Sequence, residues 1–228
     1  MASVLLSRSA KTALIAFVVF DLLVGAWFAR LYFLRSEVTE INELREMGAT
    51  RYPQARPIAN FQLQNQRGEN FTQQDLLNRW SLVFFGFTSC PDVCPLTMTE
   101  LSEFYGDYKA SGATELPQVV FITVDPERDG VNEIAEYMER FDEDFVGLAG
   151  NSQAIADVAA EFFVAYSNES SNMGHEGHPA PSSQSDDYSV SHSVHVSVVD
   201  PQGRLHSVIR PPILRRTMLE LYPELIAD

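Results

Sequence analysis

The sequence is poor in cysteine and in positive charge. Its 228 residues include two cysteines, Cys90 and Cys94, which excludes a framework of several disulfides. The net charge is −15, and because residues 1–35 contribute +3, residues 36–228 carry −18. A domain this acidic repels nucleic acid and anionic lipid, whereas it attracts cations or a basic protein. We therefore expect no nucleic-acid partner.

The N-terminus lacks the long Arg- and Ser-rich stretch of a mitochondrial transit segment. It has instead an apolar run over residues 12–34, and a helix that spans a bilayer needs about 20 residues. We predict that residues 1–35 form a single-pass transmembrane helix in a bacterial inner membrane, with residues 1–11 in the cytoplasm and the folded part in the periplasm. A cleaved signal peptide with its apolar region at residues 12–20 is the alternative, although no small-x-small cleavage site follows it.

The rest of the chain divides into a polar stalk and one domain. Residues 36–56 are predicted to be the stalk, and residues 57–228 contain enough apolar sequence for one substantial core and too little for two. Within this domain, apolar runs typical of strands alternate with helical patterns, which predicts an α/β fold with parallel strands in its sheet. The predicted strands are at 81–87, 118–124, 145–149, 190–200 and 205–209, and the predicted helices are at 131–141, 155–163 and 213–226.

Both cysteines fall between a predicted strand and a predicted helix. Strand 81–87 leads directly to Cys90 and Cys94, and apolar residues recur at helical spacing after them. Thr88 or Ser89 would cap that helix. Residues four apart lie on one face of a helical turn, so both sulfurs can point into one pocket. A helix N-terminus also lowers the pKa of a thiol, and the thiolate is the form that binds metal or attacks a disulfide.

Three interpretations of the cysteine pair remain open from its spacing alone. Thiol exchange most often uses two residues between the cysteines, whereas the three residues present here suit a soft metal ion that receives one further ligand. The third interpretation is a structural disulfide or an unreactive pair. The position itself favours a redox or metal site, because open α/β sheets keep their sites at the carboxyl ends of strands.

All five histidines lie in the last third of the chain. Along residues 190–198, alternation places His192 on the same face as the valines and His195 on the opposite face. His206 lies in the returning strand and has no distinguishing feature. A histidine on an apolar face is more often structural than a ligand, but next to two thiols that lack a third donor His192 becomes the candidate ligand.

A Ser-, Pro- and Gly-rich stretch over residues 168–187 is predicted to be a flexible loop. It contains Met173, His175 and His178, and short histidine-rich tracts bind metal in some proteins. The stretch is therefore either a transient metal-loading site or a plain surface loop.

Three blocks of the sequence, in this order, resemble the Sco/SenC family. They are residues 87–95 around the cysteines, the acidic block 124–129, and His192 ahead of residues 200–203. The likeness covers residues 57–228 and extends to the N-terminal anchor. It implies a thioredoxin-like fold for the domain.

By this resemblance the protein is a metallochaperone that binds one copper ion, Cu(I) or Cu(II), through Cys90, Cys94 and His192. The resemblance further implies that it delivers copper to cytochrome c oxidase during assembly, at the dinuclear centre of subunit II. Another periplasmic copper chaperone or a thiol reductase would be a further partner. Asp92 and residues 125–129 would form an acidic rim for docking, or would only cap a helix and form a turn.

The sequence departs from the family pattern at Ser191, where the family usually has an acidic residue just before the histidine. The alternative function is that of a membrane-anchored thiol-disulfide oxidoreductase, in which Cys90 and Cys94 would keep the copper-binding cysteines of the oxidase reduced. Thioredoxin-like oxidoreductases normally carry a proline before the late strand beside their active site, and no proline occurs between Pro181 and Pro201. We therefore expect a chaperone more than an enzyme.

Overall fold

The computed structural model divides the chain into two compact units, residues 1–46 and residues 47–228. It describes the backbone of residues 8–168 and 190–227 and the side chains of residues 16–32, 42–166 and 193–227.

The first unit contains helix α1 (Arg8–Glu46). This helix runs from the predicted anchor, residues 1–35, into the predicted stalk, so no break at residue 35 separates the two. Gly48 follows its end with a φ of +93°, a backbone conformation that favours glycine. Among the residues whose side chains are described, no helix has both the length and the apolar character needed to cross a membrane.

The second unit alternates strands and helices. Its described helices are α2 (Val93–Ala110), α3 (Val131–Met138), α4 (Ser152–Glu161) and α5 (Arg215–Ile226), with a short 3₁₀ helix at Gln73–Leu76. Its described strands are β1 (Ala49–Pro57), β2 (Gln62–Asn65), β3 (Asn70–Thr72), β4 (Ser81–Gly86), β5 (Gln118–Thr123), β6 (Val146–Ala149), β7 (Tyr166–Asn168), β8 (Val190–His192), β9 (Val196–Val199) and β10 (Arg204–Ile209).

Eight of these strands form one mixed sheet in the order β1-β10-β9-β4-β5-β6-β2-β3. Strands β4, β5 and β6 are parallel, and the other neighbours pair antiparallel. All six residues of β4 are buried, as an unbroken apolar run predicts for a strand covered on both faces. The predicted α/β fold with parallel strands is confirmed.

Helix α2, which begins between the two cysteines, is fixed against α5. The ring centroids of Phe104 on α2 and Tyr222 on α5 are 5.5 Å apart in an edge-to-face arrangement. At the start of α5, the Nε–H of Arg215 donates a hydrogen bond to the carboxylate of Asp107 on α2. A packing contact and a polar contact therefore hold α2 and α5 together at two positions along α5.

The structure differs from the predicted stalk, residues 36–56, at its C-terminal end. Residues 49–57 form β1, which pairs antiparallel with β10 from Ala49 opposite Ile209 to Pro57 opposite Arg204. Ala49 is buried, but the rest of the strand is half-buried or exposed because β1 lies at the edge of the sheet. An edge strand with one side in water has the polar composition of a stalk, and for this reason the sequence pattern was misleading.

The predicted single strand 190–200 is also wrong. It is two strands: β9 joins the main sheet, whereas β8 pairs with β7 in a separate two-stranded sheet, with His192 opposite Tyr166. Between them, the Ser193 N–H donates a 2.9 Å hydrogen bond to the Ala165 carbonyl. The alternation that placed His192 on the face of the core valines is therefore interrupted before β9.

We predict that a chain beginning at Met47 folds with the stability of the second unit, whereas a chain beginning at Ile58 is less stable by about 3 kcal/mol or more. The shorter chain loses the β1 ladder, in which each hydrogen bond contributes about 0.5–1.5 kcal/mol, and it leaves the edge of β10 open. Urea unfolding followed by circular dichroism measures the difference. Equal stability of the two chains would show that residues 49–57 do not stabilise the sheet and act as part of a stalk.

Candidate functional site

The cysteines lie where β4 leads into α2, at the carboxyl end of a central strand: Cys90 is in the connection and Cys94 is in the first turn of the helix. Gly86, the last residue of β4, makes this connection tight. A Cβ added at Gly86 would lie 3.0 Å from Cys94 Sγ and 2.7 Å from a ring carbon of Phe121. A larger residue at this position would displace the sulfur or the ring from a close-packed interior. The missing side chain therefore lets Cys94 Sγ sit directly on the end of the sheet.

Helix α2 begins later than the sequence predicts. Asp92 occupies the N-cap position, and its side chain makes no capping hydrogen bond. Instead, Cys90 Sγ accepts a hydrogen bond of 3.4 Å from the backbone N–H of Cys94, a role that a cap normally fills with an oxygen. The predicted cap at Thr88 or Ser89 is wrong. Cys90 thus precedes the helix, and its sulfur still lies beside the first turn that carries Cys94.

The two thiols differ in exposure. Cys94 is completely buried, Cys90 is half-buried, and no disulfide joins them. Burial raises the pKa of the Cys94 thiol far above its ordinary value, and the hydrogen bond with Cys90 raises it further, although the Phe87 N–H acts in the opposite direction. The expectation that the helix N-terminus lowers a thiol pKa fails at Cys94, because desolvation outweighs it. Cys90 is the thiol that a reagent or a partner reaches first.

One buried carboxylate ties the cysteine loop to the neighbouring strand. Asp129 accepts hydrogen bonds from the Thr88 N–H at 2.9 Å, from the Thr88 hydroxyl, and from the Thr123 hydroxyl at 2.6 Å. Thr88 follows β4, and Thr123 ends β5. Sequence reasoning did not single out this contact, and the only signal for it was that polar residues follow two adjacent parallel strands. The three hydrogen bonds hold the loop that leads to Cys90.

The acidic rim predicted from Asp92 and residues 125–129 is present only in part. Asp125 and Asp129 are buried, and Asp125 pairs with Arg128 within its own turn. Asp92 and Glu127 are exposed. The buried aspartates therefore form a turn and hold a loop, and only the two exposed side chains remain available to a docking partner.

The structure leaves the third predicted ligand undecided. The backbone of His192 lies in β8, but its side chain, like Met173, His175 and His178, falls outside the described residues. Among the described side chains, no group of three or more His, Cys, Asp or Glu is placed to hold a metal ion. His195 is half-buried instead of facing solvent, and His206 is buried with its ring 5.1 Å from that of Trp80. The described part of the site thus supplies two sulfur donors, Cys90 and Cys94.

The fold and this site define a class of protein, a thioredoxin-like α/β domain with a Cys-x₃-Cys dithiol at the end of a central strand. The sequence pattern of the SCO1/SenC family matches residues 49–226. The chain therefore belongs to the SCO1/SenC family, and the resemblance seen in its cysteine and acidic blocks is confirmed.

Relatives of known name or structure agree with this assignment. The chain is 33% identical over 179 residues to human "Protein SCO2 homolog, mitochondrial", which covers 78% of this chain and 61% of that protein. It is similar to the structure of ScoI from Bradyrhizobium japonicum with copper bound, with 29% identity, a TM-score of 0.60, and coverage of 74% of this chain and 97% of that one. BsSco, "a member of the Sco family of cytochrome c oxidase assembly proteins", shares the fold, with 18% identity, a TM-score of 0.54, and coverage of 76% and 96%.

We predict that iodoacetamide modifies Cys90 at least tenfold faster than Cys94 in the reduced protein at neutral pH. Cys94 is fully buried and its thiol pKa is raised, so both access and thiolate fraction are low. Mass spectrometry of peptides over a time course measures the two rates. The Cys90→Ser variant reports the rate of Cys94 alone, and the Cys94→Ser variant reports the rate of Cys90 alone. Comparable rates in the two variants would contradict the structural difference between the thiols.

We predict that Asp129→Ala lowers the free energy of unfolding by about 3 kcal/mol, because it leaves buried donors without an acceptor. Asp129→Asn should cost less than about 1 kcal/mol. Its amide oxygen can accept from the Thr88 N–H and the Thr123 hydroxyl, and its NH₂ can donate to the Thr88 hydroxyl oxygen.

Urea unfolding at several pH values measures the free energy of unfolding of both variants. It also tests whether protonation of Asp129 stabilises or destabilises the folded state. Burial raises the pKa of Asp129, so the folded state binds the proton more strongly than the unfolded chain does. The stability from this proton is therefore present at acid pH and is lost as the pH rises through the raised pKa of the folded state. Asp129→Asn should lack this dependence, and an equal loss in both variants would show that charge, not hydrogen bonding, holds the loop.

Proposed function

We propose that the protein is a metallochaperone that binds one copper ion through Cys90, Cys94 and His192. The observation that carries the proposal is the unbridged Cys90–Cys94 pair at the end of β4, in a chain of the SCO1/SenC family. Thiolate sulfur selects Cu(I), and an imidazole completes a site of three ligands. The copper-bound ScoI of Bradyrhizobium japonicum supports copper as the ion.

The recipient in this proposal is cytochrome c oxidase during its assembly, at the dinuclear copper centre of subunit II. Membership of the SCO1/SenC family supports an oxidase assembly role. The chain spans 61% of the human SCO2 homolog, so the partners of that longer protein are extended to this chain only as part of the proposal. The strong negative charge of residues 36–228 suits a cation or a recipient surface rich in Lys and Arg.

The difference between the two thiols gives the proposed transfer an order. Cys90 is half-buried and precedes the helix, so a thiolate of the recipient can replace it first. Cys94 is buried against Gly86 and Phe121, so it holds the ion until the recipient has contributed its own ligands. A stepwise exchange keeps copper coordinated throughout and releases it without an uncoordinated intermediate.

The proposal also includes attachment of the chain to a bacterial inner membrane, with the second unit in the periplasm. It is supported by the apolar run of residues 12–34, which matches the about 20 residues that a bilayer requires. An anchor would keep the copper site close to a recipient that is itself a membrane protein. Fractionation of membranes, with protease added from the periplasmic side, tests both attachment and orientation.

We expect the reduced protein to bind one Cu(I) in anaerobic competition with a chelator, with two sulfur ligands and one nitrogen ligand in copper X-ray absorption. His192→Ala should lower the Cu(I) affinity by about a hundredfold or more, because even the loss of an outer hydrogen-bond partner of a ligand costs about 10–100-fold. His195→Ala is the matched control, since this histidine lies three residues away, and it should bind as the native protein does. Unchanged affinity in His192→Ala would remove this residue from the site.

Thiol-disulfide exchange remains the second candidate, because the Cys90 sulfur lies beside the Cys94 amide and no disulfide joins the two cysteines. It needs the dithiol alone, so His192→Ala should leave the formation of a Cys90–Cys94 disulfide intact. If the native protein fails to compete for Cu(I) but reduces a disulfide in a model peptide of the oxidase site, exchange replaces copper delivery as the function.

A further inference from the structure

Large apolar side chains are exposed at four positions in the described part of the second unit. Leu96 and Phe163 are each 57% exposed, and Val93 and Leu214 are each 40% exposed. Single exposed apolar residues are ordinary on a protein surface, whereas several side by side mark a surface that binds another molecule. The role of these four residues therefore depends on which of them are neighbours.

Val93 and Leu96 lie on the first turn of α2, beside the more accessible thiol. The Leu96 N–H closes this turn with a 3.2 Å hydrogen bond to the Asp92 carbonyl. On the same turn, the Cys94 N–H donates a 3.4 Å hydrogen bond to Cys90 Sγ. Cys94 is buried against the sheet, whereas Val93 and Leu96, which flank it on the helix, are exposed. Two apolar side chains in water thus lie next to the half-buried Cys90.

Leu214 is held beside the same turn by the residue that follows it. The backbone N–H of Arg215 donates a 2.6 Å hydrogen bond to the carboxylate of Glu100 on α2. Glu100 comes four residues after Leu96, so both residues lie on one face of α2. The Nε–H of Arg215 donates to Asp107 farther along this helix. Leu214 therefore lies close to the turn that carries Leu96.

The topology of the sheet brings these segments to one edge. Ile209, the last residue of β10, lies opposite Val196 of β9, and Val196 lies opposite Phe84 of β4. Strands β10 and β4 therefore run in the same direction and end at the same edge of the sheet. The connection from β10 to α5, which contains Leu214, and the connection from β4 to α2, which contains Cys90, both leave the sheet there.

Phe163 lies apart from the other three. Its ring is covered on one face by Arg56 of β1, whose guanidinium carbon is 4.3 Å from the ring centroid. The ring of Tyr52, also on β1, is 6.4 Å away. Arg56 lies opposite Leu205 near the start of β10, which is the end far from the cysteines. Phe163 is thus a single exposed apolar residue at the edge of the sheet.

We propose that Val93, Leu96 and Leu214, the apolar patch, are the docking surface for the protein that replaces Cys90 as a copper ligand. This partner would carry apolar side chains around its own copper-binding thiols. A thiolate of the partner reaches the ion only if the partner covers the first turn of α2, where Cys90 Sγ and two residues of the patch lie. The occupant of the patch is therefore the copper recipient, and in this respect the inference rests on the proposed function.

The apolar patch and the negative charge of the domain have different effects on such a partner. The charge of residues 36–228 attracts a basic protein from a distance and raises its rate of association, and salt screens this attraction. Burial of apolar surface supplies affinity at contact. Asp92, exposed beside Val93, adds a polar group at the margin, and an apolar centre with a polar rim is the usual composition of an interface.

The first experiment needs no copper, so it tests the patch independently of the proposed function. In the full chain with Cys94→Ser, Cys90 is the only thiol. Its thiolate attacks the peptide sulfur of a mixed disulfide between a cysteine peptide and thionitrobenzoate. A disulfide between Cys90 and the peptide forms, and the thionitrobenzoate anion leaves and is measured by its absorbance. The probes are the end-blocked peptides Leu-Cys-Leu and Ser-Cys-Ser, which carry the same leaving group.

The Leu-Cys-Leu probe should react about tenfold faster than the Ser-Cys-Ser probe, the order expected when apolar side chains are buried on the patch. Leu96→Ser should bring the ratio of the two rates close to one, and because this change is neutral it leaves the charge around Cys90 unaltered. Phe163→Asn is the matched control, since Phe163 is equally exposed and Asn tolerates its φ of +55°. It should keep the ratio of the parent chain. A ratio near one in the parent, or an equal loss in both variants, would overturn the inference.

The second experiment follows copper transfer from the loaded full chain to the soluble copper domain of oxidase subunit II. Leu96→Ser should raise the recipient concentration that gives half of the maximal rate by about tenfold. It should leave the maximal rate and the Cu(I) affinity unchanged, because Leu96 contacts the partner and not the ion. Phe163→Asn should match the native chain in all three quantities.

Two results of this experiment would overturn the inference. One is a half-saturating concentration that responds to salt but not to Leu96→Ser, which would show docking by charge. The other is a dimer of the native chain in sedimentation that Leu96→Ser dissociates, which would make a second copy of the chain the occupant. If the native chain transfers no copper to the subunit II domain, the proposed recipient is wrong, and the ratio of the two peptide rates alone decides whether the patch binds apolar partners.

Discussion

The site depends on the contact between the Cys94 sulfur and Gly86. The sulfur and the Phe121 ring both lie so close to Gly86 that a single added methyl group would collide with them. This close approach lets α2 start directly over the end of the central strand, and it removes Cys94 from water. Cys90 precedes the helix and stays half-buried. A pair of cysteines separated by three residues is thereby divided into an inner sulfur and an outer sulfur.

Asp129 supplies the second constraint, because it ties the loop that leads to the outer sulfur to the neighbouring strand. Its carboxylate joins the residue after β4 to the last residue of β5 through Thr88 and Thr123. A carboxylate is placed in the interior at a cost in desolvation, which its raised pKa records, and the hydrogen bonds from both threonines offset part of that cost. Within the acidic block 124–129, Asp129 is therefore best explained as internal support for the cysteine loop, whereas Glu127 is exposed, as is Asp92 beside the cysteines.

The sequence predicted the central strands, their parallel arrangement and the cysteine site, because a strand buried on both faces carries an unbroken apolar run. Prediction from the sequence failed where the pattern of residues does not show the place of a strand in the sheet. β1 resembles a stalk because an edge strand is polar on its outer side, and alternation along residues 190–198 does not show that the chain changes sheets at Ser193. The contact of Asp129 with Thr88 and Thr123 was not singled out either, since it joins residues at the ends of two different strands and leaves no mark in sequence spacing.

A site that delivers an ion has to bind it tightly and also give it up, and these demands conflict if all ligands are equivalent. The inner and outer sulfurs allow both. In the proposed chaperone, buried Cys94 would hold the ion where no partner reaches it, while half-buried Cys90 would remain open to exchange. Because its raised pKa keeps the proton on the Cys94 thiol, the inner sulfur is also protected from oxidation and alkylation. The same burial makes Cys94 a poor nucleophile, which argues against this residue as the attacking thiol of an exchange catalyst.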